Sequence, residues 1–234
     1  MDVPGVARFG FAVPTKSVTA VPHPPARPEL IRLTYERSVL PLVLQAGGTE
    51  VLHASAVFMH GGVLALCGRS GVGKSTTAMA LSRRGHLLWA DDVVALEMSG
   101  SHPEVLPLPF ELRLRAEAAR FFGEDPGAMR RLRPRGPGNG AVPEPARLRA
   151  VCVLSRDAEI DGVAVELLGA AAVPSLLAHA YCFSLQQALF KRRMMEHYLE
   201  LAAKVPVFGI RFRPDPERLT AIAEKIERVA AGAA

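Results

Sequence analysis

The sequence predicts an α/β protein: a mixed β-sheet with flanking helices, built around a phosphate-binding loop. Three observations carry that expectation. The stretch Gly68-Arg69-Ser70-Gly71-Val72-Gly73-Lys74-Ser75 fits G-x-x-x-x-G-K-[ST]. An apolar run, residues 63–67, enters it as a buried strand, and residues 76–84 leave it as a helix that Gly85 stops. A second apolar run, residues 86–90, then delivers Asp91 and Asp92 one helix and one strand beyond Lys74.

Each part of this pattern has a physical reason. A triphosphate gathers several negative charges in a small volume. Glycines let the backbone turn tightly and aim N–H groups inward at those oxygens. Lys74 reaches the β- and γ-phosphates, the Ser75 hydroxyl can ligate Mg²⁺, and the helix beginning here adds its positive end. The binding stretch runs from Gly68 to Thr76. Two carboxylates where an apolar strand ends would be costly if merely buried. Beside Mg·ATP one can hold the metal and the other can take a proton from an attacking hydroxyl. The plainer alternative is a turn or helix cap, where Asp is common.

In chain order, residues 1–28 are proline-rich and read as an extended lead-in, with an edge strand over residues 8–13. Residues 29–44 carry Leu30, Ile31, Leu33 and Leu40 at helical spacing; Pro41 should kink or divide that helix, and Gly47-Gly48 ends it. Residues 51–59 read as one strand, turned by His60-Gly61-Gly62 into the strand before the loop. Such a hairpin brings His53 within range of the phosphate site; a lone strand histidine is otherwise a structural residue.

Beyond the acidic pair, residues 93–97 continue as strand and residues 107–114 are extended, with Glu111 and Arg113 on one face. A helix covers residues 116–122. Residues 123–147 read as a mobile basic loop, with Arg130, Arg131, Arg133 and Arg135 among glycines and prolines. That loop either closes over phosphates or an acidic substrate, or is simply solvated. Strands follow at 151–154, 163–168 and 207–212, and helices at 171–178, 185–205 and 216–229. Met194, Met195 and Tyr198 read as core. No internal repeat divides the chain, so residues 1–234 are expected to form one catalytic domain.

Composition narrows the classes. Hydrophobic residues make up 49%, which excludes wholesale disorder, and no apolar run reaches membrane-spanning length. The N-terminus lacks a signal-peptide layout, so the expected location is cytoplasmic. Cys67, Cys152 and Cys182 suit reduced, buried thiols. A net charge of +5 with only 6% aromatics favours anionic ligands without a nucleic-acid signature.

The segment Leu52-His53-Ala54-Ser55-Ala56-Val57, then Gly68 to Thr76, then Arg84-Gly85-His86-Leu87-Leu88-Trp89-Ala90-Asp91-Asp92 resembles the catalytic domain of HPr kinase/phosphorylase. That family of bacterial serine kinases has a P-loop related to that of phosphoenolpyruvate carboxykinase. The likeness is greatest to its short members, found with peptide-modification systems such as lasso-peptide clusters. The resemblance implies a P-loop kinase fold of that type, with ATP and Mg²⁺. It implies that Lys74 and Ser75 bind phosphate and metal, that Asp91 and Asp92 supply metal coordination and the base, and that His53 is the active-site histidine. It also allows a homo-oligomer. Two departures stand out. Thr76 stands where the HPr enzymes usually carry Glu, and their downstream Arg-Gly-Leu-Gly segment is missing, with Glu111 the candidate for its acidic counterpart.

The expected activity is transfer of the γ-phosphoryl group of ATP to a serine hydroxyl of a peptide or small protein, HPr-like or a ribosomal precursor peptide. The alternatives are a small-molecule kinase for a free serine-like acceptor and a nucleotide-dependent regulatory ATPase. No Asn-Lys-x-Asp guanine reader or Leu-Ser-Gly-Gly-Gln transporter signature is present. The close acidic pair favours transfer to a hydroxyl, since a switch needs only one metal-binding carboxylate.

Overall fold

The computed structural model describes residues 1–234 apart from 13–14, 16, 99, 127–128, 135–142, 182–187 and 233–234. The first half contains β1 (Asp2–Val3), β2 (Ala7–Ala12), β3 (Ser17–Pro22), α1 (Pro28–Thr34), a π-helical turn (Tyr35–Val39), α2 (Leu40–Ala46), β4 (Glu50–Leu52), β5 (Ala54–Met59), β6 (Gly62–Gly68), α3 (Lys74–Arg83), β7 (Leu87–Ala90), β8 (Val94–Glu97) and β9 (Glu104–Val105). The second contains β10 (Phe110–Arg113), α4 (Ala116–Phe121), β11 (Met129–Leu132), β12 (Ala146–Arg156), β13 (Val163–Leu167), α5 (Ala172–Leu177), α6 (Ala188–Lys204), β14 (Val207–Phe212) and α7 (Leu219–Gly232).

The long strand β12 is the pivot of a mixed sheet. It runs parallel to β6 on one side and to β14 on the other, with Val151 opposite both Ala65 and Val207. β5 adds antiparallel to β6, β7 to β5, and β13 to β14. The first two residues of β12 pair instead with β9, which leads through β8 to β4. β6 is buried along its whole length, as a strand covered on both faces must be.

Strand alternation sorts the two helical layers. Val63, Ala65 and Cys67 pack with Leu176 of α5 and Tyr198 and Leu201 of α6. Leu64 and Leu66 point the other way, onto Ala78 and Leu81 of α3 and Ile222 and Ile226 of α7. Burying each such leucine contributes about 2 kcal/mol. In α7 the buried residues Leu219, Ile222, Ala223, Ile226 and Ala230 recur at helical spacing, which turns Arg228 to solvent.

The mixed α/β fold with flanking helices is therefore as expected, and so are the loop strand, the helix after it and the β5–β6 hairpin. The helical region before Gly47 is divided, by a π-turn that ends just before Leu40-Pro41. Other expectations need correction. The proline-rich lead-in contains a three-stranded antiparallel meander, β1-β2-β3, whose Val6, Ala7 and Phe9 pack on Val39 beside Ile31, Tyr35 and Val43. Residues 51–59 are not one strand: the chain breaks at His53, sending β4 to β8 and β5 to β6. Residues 93–97 do not continue β7 but form β8 beside β4. The basic stretch is not a loop throughout, because β11 pairs antiparallel with β10, Arg131 opposite Glu111. Met195 is 42% exposed, whereas Tyr198 is buried. Arg135, the 136–140 run, Cys182 and the expected helix start at Leu185 lie outside the described residues. Cys67 and Cys152 are buried and free, and burial pushes the Cys67 thiol up to about 12. Among the described residues no helix is long and apolar enough to cross a membrane.

Candidate active site

The loop after β6 is shaped by positions that only glycine fills without strain. Gly68 sits at φ +146°, where an added Cβ would lie 2.7 Å from the Leu154 carbonyl oxygen of β12. Gly73, at φ +119°, turns the chain into the first residue of α3. The backbone therefore bends against the ends of parallel strands, where open α/β sheets place their ligands.

Lys74 is 7% exposed and folds back over its own loop. Its ammonium donates to the Gly68 carbonyl at 3.0 Å and to His53 Nε2 at 3.2 Å. An ammonium has no acceptor capacity, so Nε2 must be the bare nitrogen of a neutral imidazole. The proton then sits on Nδ1, which donates to the Asp92 carbonyl at 3.2 Å. The environment favours this neutral form: burial, and then the Lys74 charge, lower the His53 pKa from its ordinary value. Burial also lowers the Lys74 pKa, against the opposing pull of the Asp92 carboxylate.

The two aspartates face different surroundings. Asp91, directly after β7, is 5% exposed and accepts from Ser55 Oγ at 2.5 Å and Ser75 Oγ at 2.9 Å on one carboxylate oxygen. Burial pushes its pKa up to about 6, against the two hydroxyl bonds. Asp92 takes a left-handed backbone, φ +64°, a conformation Asp tolerates better than most residues. That turn breaks the strand and leaves Asp92 lining a cleft of about 400 Å³ together with His53, Lys74, Ser75 and the glycine loop. Asp92 also lines a second, smaller cavity, with Asp91, Arg37, Leu108, Phe110 and Glu111. Glu111 is nearly buried there and accepts from Arg32 at 2.7 Å.

The structure thus brings together His53, Lys74, Ser75, Asp91 and Asp92, with Gly71, Gly73 and Thr76 along the same cleft. It also supplies cations that the sequence analysis missed. Arg113 and Arg115 line the cleft from β10 and the turn after it, and Arg115 lies close against Gly71, where an added Cβ would be 2.7 Å from its Nη2. Arg156, ending β12, donates through Nε to the Val72 carbonyl at 3.2 Å. The expected basic loop contributes elsewhere: Arg131 pairs with Glu36 at 2.8 Å. Arg156 carried a weak signal, a cation at the C-terminal end of a strand parallel to the loop strand.

Asp91 yields a prediction on the metal-free protein. Above about pH 6 the carboxyl is ionised both folded and unfolded, and the folded state bears the cost of a buried charge. As pH falls through 6, the folded protein binds a proton that the unfolded chain binds only near 3.8, so this group's contribution shifts toward stability. An Asp91→Asn variant lacks that shift. It is expected to melt above the wild type at pH 7.5, with the gap closing by pH 5, a change of about 3 kcal/mol at most. Parallel thermal melts in chelator check this, and a pH-independent gap refutes it.

The comparisons fall on this same region. Residues 46–106 match the family model described as "HPr Serine kinase C-terminal domain", a segment that runs from the end of α2 through β9 and holds His53, the glycine loop and both aspartates. Over 71 residues the chain is 41% identical to an HPr kinase/phosphorylase from Bacillus pumilus (strain SAFR-032), covering 28% of this chain and 23% of that protein. Over 75 residues it is 39% identical to the HPr kinase/phosphorylase of Bacillus licheniformis, covering 30% and 24%. The chain thus spans about a quarter of the length of the curated relatives it matches. Among solved structures, that of the Hpr(Ser) kinase/phosphatase from Coxiella burnetii aligns with TM-score 0.41 and 15% identity, over 78% of this chain and 88% of that one.

Proposed function

We propose that this chain is an ATP-dependent P-loop kinase that moves the γ-phosphoryl group to a serine hydroxyl of a peptide or small protein. The observation that carries this reading is the acidic pair at the phosphate loop, Asp91 bonded to Ser75 Oγ and Asp92 lining the same cleft as Lys74. A hydroxyl entering that cleft beside a bound triphosphate would meet Asp92.

The residues present fit Mg²⁺. Ser75 Oγ and the Asp91 carboxylate already lie 2.9 Å apart, both hard oxygen donors. Among the described residues no group of three or more His, Cys, Asp or Glu forms a full metal cage. Mg²⁺ commonly takes one or two protein oxygens and the rest from phosphates and water. When bound, Mg²⁺ would neutralise charge on the transferring phosphates.

The chain's own groups divide the remaining work. Lys74 and the loop N–H groups hold the phosphate oxygens in line, with Arg113, Arg115 and Arg156 adding positive charge at the rim. His53, neutral, keeps the Lys74 amine oriented without competing for the anion. Asp91 fixes the Ser75 hydroxyl, and Asp92 accepts the proton of the attacking serine. The names of the relatives make HPr the first acceptor to try, with serine-containing precursor peptides next.

The test is transfer from [γ-³²P]ATP, with Mg²⁺ and with excess chelator, to purified HPr, to serine-containing peptides and to free serine. Label on a peptide or protein serine, lost when that serine is alanine and lost in chelator, is the expected result. Label on free serine alone would make the enzyme a metabolite kinase. Release of phosphate with no labelled acceptor would leave a regulatory ATPase.

A further inference from the structure

The strand break at His53 is braced by a segment from far along the chain, the one that follows α5. Ala180 bridges Leu52 of β4. On either side of that bridge the His53 N–H donates to the His179 carbonyl at 2.8 Å, and the Tyr181 N–H donates to the Val51 carbonyl at 2.9 Å. Gln45 of α2 donates through Nε2 to the Tyr181 carbonyl at 2.6 Å. The backbone of Tyr181 is therefore held by two separate elements, β4 and α2.

Its side chain reaches the acidic turn. The Tyr181 ring meets the His53 ring edge-on, with centroids 6.2 Å apart and planes at 82°. Its hydroxyl lies 3.5 Å from the Asp92 carbonyl, the same oxygen that accepts from His53 Nδ1 at 3.2 Å. Burial, and then the Asp92 charge, raise the pKa of the phenol, so the hydroxyl keeps its proton and donates. Neither bond is short, but the two converge on one carbonyl. A left-handed residue other than glycine persists where its surroundings over-determine it, and Asp92 at φ +64° is such a residue. We infer that Tyr181 is a positioning residue for phosphoryl transfer: its ring and hydroxyl brace the His53 imidazole and the Asp92 turn, and so keep Asp92 on the wall of the phosphate-loop cleft. Tyr181 does not itself line that cleft, and acts through His53 and Asp92. This inference rests on the proposed transfer reaction with Asp92 as its base.

Tyr181→Phe keeps the ring and removes the hydroxyl. Single-turnover transfer from saturating Mg·ATP, to purified HPr or to the serine peptide that takes label, is expected to slow roughly three- to tenfold, the scale of one modest hydrogen bond. Calorimetric affinity for Mg·ATP should stay unchanged. In an Asp92→Asn background the same substitution should cause no further loss, because it acts through that residue. Imidazole ¹⁵N spectra add a readout that needs no turnover: the His53 Nδ1 proton should exchange with water faster in Tyr181→Phe than in the wild type. The inference is overturned by an unchanged rate in Tyr181→Phe, by an equal loss of rate and affinity, or by a full further loss in the double variant. A wild type that transfers phosphate to no acceptor would overturn the reaction instead. The proton-exchange comparison then decides the brace alone, and equal exchange in both proteins would refute it.

Discussion

A Lys74→Ala variant is expected to lose phosphoryl transfer by about a thousandfold or more in kcat/KM, the scale seen when a preorganised charge at a reacting centre is removed. Among the described residues it is the one lysine lining the glycine loop's cleft, and the structure holds it there at 7% exposure. Its hydrogen-bond partners are a carbonyl and an imidazole, and no carboxylate bonds to it directly. Folding should therefore survive: burial already lowers this amine's pKa, which means its charged form is held at some cost. Steady-state kinetics alongside a thermal melt checks both halves. A variant that turns over near the wild-type rate would remove the loop from the mechanism, whatever its fold.

The second large effect is expected at Asp92. Asp92→Asn should lower kcat by about a hundredfold to ten-thousandfold, the range for loss of a positioned base, while ATP affinity changes only a few-fold. The substitution is chosen to be structurally quiet. Asn is close to Asp in size and accepts the same left-handed backbone that Asp92 adopts at φ +64°. The hydrogen bond from His53 goes to the backbone carbonyl of Asp92, not to its carboxylate, so the histidine keeps its tautomer. Single-turnover transfer with saturating Mg·ATP isolates the chemical step. Unchanged kcat with weakened nucleotide binding would make Asp92 a binding residue and move the base elsewhere.

The loop and the acidic pair were legible because their chemistry is local. Glycine positions, a following helix and a terminating strand lie within about thirty residues of one another, and short-range rules reach that far. What escaped depended on partners distant in sequence. Nothing near His53 announces that the chain leaves one strand neighbour for another there; that break is decided by β8 pairing with β4. The residues of β11 have weak strand propensity and read as loop, and only β10 across the hairpin makes them a strand. Arg115 and Arg156 looked like ordinary surface cations, because their approach to Gly71 and Val72 exists only after α4 and β12 have packed. Met195 was placed inside on composition, but it is 42% exposed while Tyr198 and Leu201 of the same helix are buried.

The folded-back lysine has one more implication. Its ammonium donates to the Gly68 carbonyl and to His53. An arriving anion must displace those two acceptors, so the enthalpy of binding is a difference between partnerships and not the full strength of a new one. In return the loop has little left to freeze, since its lysine is confined beforehand. Affinity for an anion at this loop is accordingly expected to be moderate, with a small entropic cost of ordering the lysine.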